Sequence, residues 1–102
     1  MAFVKVASVN DVPEGEGKVV KANGREIALF KLEGGFYAID NTCKHMGGPL
    51  GEGWLEEAVV TCPLHGWRYD IKTGICQMFQ GSDIKVDTFP IKVEGNDVLV
   101  DV

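Results

Sequence analysis

The sequence has little basic charge and no long hydrophobic run. Ten Lys and Arg residues stand against 15 Asp and Glu residues, so the formal net charge is −5. Binding of phosphates requires clustered Lys and Arg, so the acidic balance argues against nucleic acid or an anionic membrane as a partner. No stretch reaches the roughly 20 apolar residues of a transmembrane helix, and the first residues lack the pattern of a secretory signal peptide. We therefore expect a cytoplasmic protein that binds neither nucleic acid nor membrane.

Helical periodicity is also missing from the sequence. No window of a dozen residues repeats apolar positions at three- and four-residue spacing without an intervening Gly or Pro. Short runs rich in Val, Ile and Phe, separated by turn residues, occur instead and are typical of strands. The predicted strands are 3–7, 18–22, 25–32, 36–39, 55–61, 84–93 and 97–102. This pattern predicts an all-β fold, and 102 residues are enough for one domain spanning 1–102.

Turn residues between the runs support the all-β interpretation. Asn23-Gly24 lies between two predicted strands, and this dipeptide is typical of a type I′ hairpin turn. In the run 84–93 the apolar positions change parity and Pro90 cannot donate a ladder hydrogen bond, so a bulge or bend is expected near Thr88. The segment 41–53 is rich in Gly and is predicted to form a long structured loop.

Histidine and cysteine are rare, and they occur together. The chain has two His and three Cys, and four of these five residues form the pairs Cys43-x-His45 and Cys62-x-x-His65. Thiolate and imidazole are common metal ligands, and an isolated core histidine or core thiol does not explain this pairing. Two metal sites fit: tetrahedral zinc, and a [2Fe–2S] cluster with two thiolates on one iron and two imidazoles on the other. The alternating order Cys, His, Cys, His differs from that of zinc fingers, where both cysteines precede both histidines.

The two motifs resemble those of the Rieske [2Fe–2S] ferredoxins. The specific segment is "CPLHGWRYD" followed by "KTG", and the flanking segments "GGFYAIDNTCKHMGGPL" and "FPIKVEGNDVLVDV" are also similar to the small ferredoxins of that family. The resemblance implies an antiparallel β sandwich or barrel with a smaller cluster-binding subdomain at roughly 41–80. It also implies a Rieske-type [2Fe–2S] cluster held by Cys43, His45, Cys62 and His65.

The resemblance extends to residues around the ligands. Gly47 and Gly66 would let the backbone approach the cluster, while Trp67 and Tyr69 follow the second motif, Trp67 mainly as a packing residue. Cys76 is not needed as a ligand and is predicted to be a buried, inert thiol.

One branch of the family differs from this sequence in a way that affects the reduction potential. The high-potential branch carries a disulfide between the two loops, but this chain has Gly48 and Leu64 at those positions. It also has Trp67 where that branch has a serine hydroxyl that bonds a cluster sulfide. Since fewer hydrogen bonds reach the cluster, the expected potential lies in the lower part of the Rieske range, from about −150 mV upward.

The resemblance implies electron transfer rather than substrate chemistry. After the ligands are assigned no histidine is left, and we expect no catalytic residues and no enzyme activity of the chain's own. The expected function is one-electron transfer from a reductase, a flavoprotein, to a terminal oxygenase of the aromatic ring-hydroxylating dioxygenase type, with both contacts transient. Two alternatives remain: the small Rieske-like subunit of an assimilatory nitrite reductase, and a zinc-binding interaction module.

Overall fold

The computed structural model describes residues 3–42, 48–64, 66–77 and 84–102. These residues form ten short β-strands and one 3₁₀ turn, Leu50–Glu52. The strands are β1 Phe3–Ser8, β2 Gly17–Ala22, β3 Arg25–Leu32, β4 Gly35–Asp40, β5 Trp54–Glu56, β6 Val59–Thr61, β7 Arg68–Asp70, β8 Thr88–Phe89, β9 Ile91–Glu94 and β10 Asp97–Asp101. The predicted all-β class is confirmed.

The strands form three antiparallel sheets. Their orders are β1-β10-β9, β2-β3-β4-β8 and β5-β6-β7. We refer to the first two sheets as the base, and to the β5-β6-β7 sheet with the described residues of the segments 41–53 and 62–67 as the loop end. Within the described part of the chain, no helix has the length and apolar character needed to cross a membrane.

Strand β3 of the four-stranded sheet is buried on both faces, which explains its unbroken apolar run. Ile27 and Leu29 pack in a core shared with Val98 and Val100 of the three-stranded β1-β10-β9 sheet. Ala28 and Phe30 point to the opposite side and pack in a second core. That second core also contains Leu50, Val60, Cys62, Tyr69, Ile71, Cys76 and Val86. The loop end is therefore attached to the base through this second core.

The hairpin between β2 and β3 has the predicted turn. Asn23 and Gly24 both have positive φ, 51° and 77°, and Ala22 pairs with Arg25 across them. This is the conformation of a type I′ turn, which twists in the same sense as the strands it joins.

Two of the predicted strands are interrupted. The run 55–61 was predicted as one strand, but the chain reverses at Glu57, which has a φ of 53°, so that Leu55 pairs with Val60. The run 84–93 breaks at Pro90, where the chain leaves the four-stranded sheet and enters the β1-β10-β9 sheet. This break is close to the predicted bend, and the missing N–H of Pro90 is its local cause.

Candidate metal centre

One of the four predicted ligands, Cys62, lies among the described residues. It directly follows β6 and its side chain is fully buried in the core that joins the loop end to the base. Cys43, His45 and His65 lie outside the described residues, as does Gly47.

The second loop connects β6 to β7 and is closed at its base by strand pairing. Thr61 pairs with Arg68, and the Cys62 N–H donates to the Trp67 carbonyl at 2.6 Å. Inside the loop, the Leu64 N–H donates to Cys62 Sγ at 3.4 Å, and Gly66 has a φ of 76°. A cysteine sulfur that accepts a backbone N–H is stabilised as a thiolate, the form in which it binds metal.

The first loop leaves β4 and returns to the 3₁₀ turn, and it is also closed by a bridge, between Thr42 and Pro49. Asn41 holds this closure. Its Oδ1 accepts the Gly51 N–H at 2.7 Å and its carbonyl accepts the Leu50 N–H at 2.8 Å. Asn41 is 3% exposed and is the buried polar residue of the described chain. The sequence analysis missed this role, because a loop asparagine two residues before a cysteine has no distinguishing pattern.

The two loops meet at Gly48. A Cβ built at Gly48 would lie 2.7 Å from Cys62 Sγ and 3.2 Å from the Leu64 side chain. A real Cβ does not approach another heavy atom that closely, so glycine is required for the first loop to pack on the second. Gly48 and Leu64 are the two positions at which the high-potential branch carries its disulfide. In this chain the backbone of Gly48 packs against the side chain of Leu64 instead.

The residues after the second motif pack beneath the loops. Tyr69 is fully buried, and its backbone pairs with Val60 and with Cys76. Trp67 is partly buried against the same core, in agreement with a packing role. Cys76 is 3% exposed, in agreement with the predicted burial of its thiol.

The residues around Cys62 fit an iron–sulfur cluster. The donor set offered by the two motifs is two thiolates and two imidazoles, and a soft thiolate suits an iron–sulfur centre. Gly48 packs closely against the sulfur, and the buried position of Cys62 keeps the sulfur away from bulk water.

Three known proteins are similar to this chain along most of its length. The ferredoxin component of the naphthalene 1,2-dioxygenase/salicylate 5-hydroxylase systems of Ralstonia sp is 41% identical over 100 residues, which cover 96% of this chain and 93% of the relative. The solved ferredoxin of carbazole 1,9a-dioxygenase from Nocardioides aromaticivorans IC177 superposes with a TM-score of 0.88 at 26% identity, covering 98% and 97% of the two chains. A structure of the complex of reduced oxygenase and oxidized ferredoxin in carbazole 1,9a-dioxygenase matches with a TM-score of 0.85 at 28% identity, covering 96% of this chain and 91% of the matched chain.

A family model gives the assignment directly. The model of the Rieske [2Fe-2S] domain matches residues 2–90, which include both Cys-x-His and Cys-x-x-His motifs. This match supports the [2Fe–2S] cluster over the zinc alternative. With Cys62 of the second motif packed against Gly48, on a fold shared with a dioxygenase ferredoxin, the chain belongs to the Rieske [2Fe-2S] domain family.

Proposed function

We propose that this chain is the ferredoxin component of a dioxygenase system, a one-electron carrier with no catalytic activity of its own. The proposal rests mainly on one observation: nearly the whole chain is similar in sequence to the ferredoxin component of a dioxygenase system. The alignment covers 96% of this chain and 93% of the relative, which is itself a ferredoxin component. The electron donor would be a flavoprotein reductase and the acceptor a terminal oxygenase, each bound transiently.

We propose Cys43, His45, Cys62 and His65 as the ligands, with the two cysteines on one iron and the two histidines on the other. When bound, the cluster accepts and releases one electron. The protein's part is to hold the two loops in a fixed relation, which the closures at Thr42 and Thr61 and the packing of Gly48 support. The Leu64 N–H directed at Cys62 Sγ stabilises negative charge on that sulfur.

The neighbouring residues have supporting roles in this proposal. Gly47 and Gly66 allow the backbone of each loop to turn close to the cluster, and the positive φ of Gly66 is consistent with that requirement. Tyr69 anchors the second loop by its burial, and Trp67 covers one side of the shared core. We also propose that residues 41–80 form the cluster-binding subdomain of a single domain spanning 1–102, and that the protein works in the cytoplasm.

The nitrite reductase alternative has less support. A small subunit of nitrite reductase would be permanently attached to a large catalytic chain, whereas the relative reported above is a ferredoxin component. A ferredoxin with a similar fold has also been solved in complex with an oxygenase. These observations favour a carrier that docks and dissociates.

The first experiment replaces Cys62 and Cys76 by serine, one at a time. We expect Cys62→Ser to lose the red-brown colour and the low-average-g EPR signal of a reduced mixed-ligand cluster, because one of four ligands is removed. Cys76→Ser is the matched control: it makes the same chemical change in the same core and is expected to keep the spectrum. Equal spectra for wild type and Cys62→Ser would contradict the ligand assignment.

The carrier function is tested by replacement. Purified protein is added to a naphthalene 1,2-dioxygenase system from which the native ferredoxin has been omitted, with reductase, oxygenase, NADH and naphthalene present. Hydroxylated product that depends on this chain, and is lost with Cys62→Ser, supports electron transfer. A titration of the same sample measures the potential, for which the expected value lies in the lower part of the range that begins at about −150 mV.

A further inference from the structure

The outer face of the β5-β6-β7 sheet presents an exposed tryptophan. Trp54 is 64% exposed, more than any other large hydrophobic side chain in the described part of the chain. Burial of an aromatic ring of this size contributes strongly to the free energy of unfolding. The exposed part of the Trp54 ring makes no such contribution. Exposed aromatic residues of this kind are enriched where proteins bind other proteins.

Strand register defines which side chains share this face. Trp54 pairs with Thr61 and Thr61 pairs with Arg68, so these three residues form one row across the sheet. The alternate row, Leu55, Val60 and Tyr69, faces the core. Directly opposed residues in an antiparallel sheet have Cβ atoms about 5 Å apart. We call the row Trp54, Thr61 and Arg68, with the flanking Glu52 and Glu56, the Trp54 face.

The Trp54 face adjoins the candidate ligand loop. Thr61, in the middle of the row, immediately precedes Cys62, and Arg68 closes the other side of the same loop. At the tip of that loop, Leu64 is 44% exposed. A protein bound to this face would therefore lie beside the loop that carries Cys62.

The charge around Trp54 is negative. One hollow of about 520 Å³ on the Trp54 side is lined by Glu16, Glu52 and Glu56 together with glycine backbone. A second hollow of about 490 Å³ is lined by Glu56, Glu57 and Arg68. The charged residues that line the two hollows are therefore four glutamates and one arginine. All four glutamates are exposed.

We propose that the Trp54 face docks the terminal oxygenase, through an oxygenase surface that carries Arg and Lys side chains around an apolar site for the indole. The proposal rests on the proposed function. The acidic hollows are electrostatically complementary to a basic surface. An Arg or Lys side chain of the partner beside the Trp54 indole can add a cation–π contact. The oxygenase is the partner chosen because a solved ferredoxin of this fold is captured in complex with its oxygenase.

The test compares variants of the holoprotein in the two half-reactions. Stopped-flow spectroscopy measures reoxidation of the reduced ferredoxin by the oxygenase of a naphthalene 1,2-dioxygenase system, and separately measures its reduction by the reductase. Trp54→Thr removes the indole and keeps a residue that favours strands. Phe3→Thr is the matched control, since Phe3 is an exposed aromatic residue in a base strand, 41% exposed. Absorbance and midpoint potential verify that each variant holds the same cluster.

We expect Trp54→Thr to lower the second-order rate constant with the oxygenase about tenfold, as for loss of an aromatic hot spot, and Phe3→Thr to leave it unchanged. Glu52→Gln with Glu56→Gln is expected to lower that rate constant about threefold at low salt and to have no effect at high salt. Glu26→Gln with Glu94→Gln changes the net charge equally and should have a smaller effect.

Three outcomes would overturn the proposal: unchanged oxygenase rates in Trp54→Thr, a loss confined to the reductase half-reaction, or an equal loss in Phe3→Thr. Failure of the proposed function is distinguishable from all of these. In that case the wild-type protein itself would transfer no electrons to the oxygenase.

Discussion

The base and the loop end are held together in different ways. In the base, β2 and β3 pair over six residues and β3 and β4 over six, and one sheet is covered on both faces. In the loop end, each strand of the β5-β6-β7 sheet has three residues, and the loops depend on single contacts such as Asn41 to Gly51 and Gly48 against Cys62. Apolar burial spread over many residues stabilises the base, while single hydrogen bonds and close contacts hold the described parts of the two loops.

The comparison predicts that small changes in the loop end will affect function more than equal changes in the base. An extra methyl group or a missing acceptor has few neighbouring contacts to compensate for it in the loop end. In the base, the same perturbation is shared among long ladders and two cores.

The largest effect is expected for Gly48→Ala. The added methyl group would lie 2.7 Å from Cys62 Sγ and would force the two loops apart, so most of the cluster absorbance should be lost. Gly35→Ala in β4 is the control, because a Cβ there makes only ordinary contacts, the nearest at 3.6 Å. Iron and sulfide analysis of both variants checks the prediction, and equal cluster content would show that the loops can separate without loss of the site.

An intermediate effect is expected for Asn41→Ala. The Gly51 N–H would lose its buried acceptor, at a cost of about 1–3 kcal/mol in the free energy of unfolding. For a domain of this size that corresponds to a decrease in Tm of several degrees, roughly 4–8 °C per kcal/mol. Asn41→Asp keeps an acceptor oxygen and should lose less stability. Thermal denaturation followed by circular dichroism measures both, and an unchanged Tm in Asn41→Ala would contradict a role in closing the first loop.

The smallest effect is expected in the base, at Glu14. Its carboxylate accepts the backbone N–H groups of Gly34 and Glu33, and these bonds lower the pKa of Glu14 below its ordinary value. Because the folded protein favours the ionised form, the resulting stabilisation is present above the ordinary pKa and is lost as the pH falls through the lowered one. The Tm difference between wild type and Glu14→Gln should therefore be small near neutral pH and vanish in acid. A difference that grows on acidification would show that the carboxylate is not the group responsible.

Much of the base could be predicted from local sequence. The run 25–32 became β3 with the same bounds, and Asn23-Gly24 became the predicted type I′ turn, because Val, Ile and Phe favour strands and few dipeptides tolerate two positive φ angles. In the loop end the prediction was weaker. β7, Arg68–Asp70, was not predicted, and the reversal at Glu57 was missed because a glutamate at positive φ gives no turn signal.

For the candidate site, too, some features could be predicted from the sequence and others could not. The candidate ligands and their pairing were proposed from the sequence alone, since thiolate and imidazole chemistry belongs to the residues themselves. The part played by Asn41 could not, because its buried hydrogen bonds join residues ten positions apart and exist only after the loop has closed. The exposure of Trp54 could not be predicted either, since the predicted strand began at residue 55 and the face that a strand residue occupies depends on the register.

The sequence by itself determined the all-β class, the family and the four candidate ligands, because these depend on residue type and on spacing along the chain. Only the tertiary structure decided that Gly48 lies against Cys62 and Leu64, that Asn41 closes the first loop, and that Trp54 faces outward beside three glutamates. These relations join residues that are distant along the chain, and the packing of three sheets around two cores brings them together.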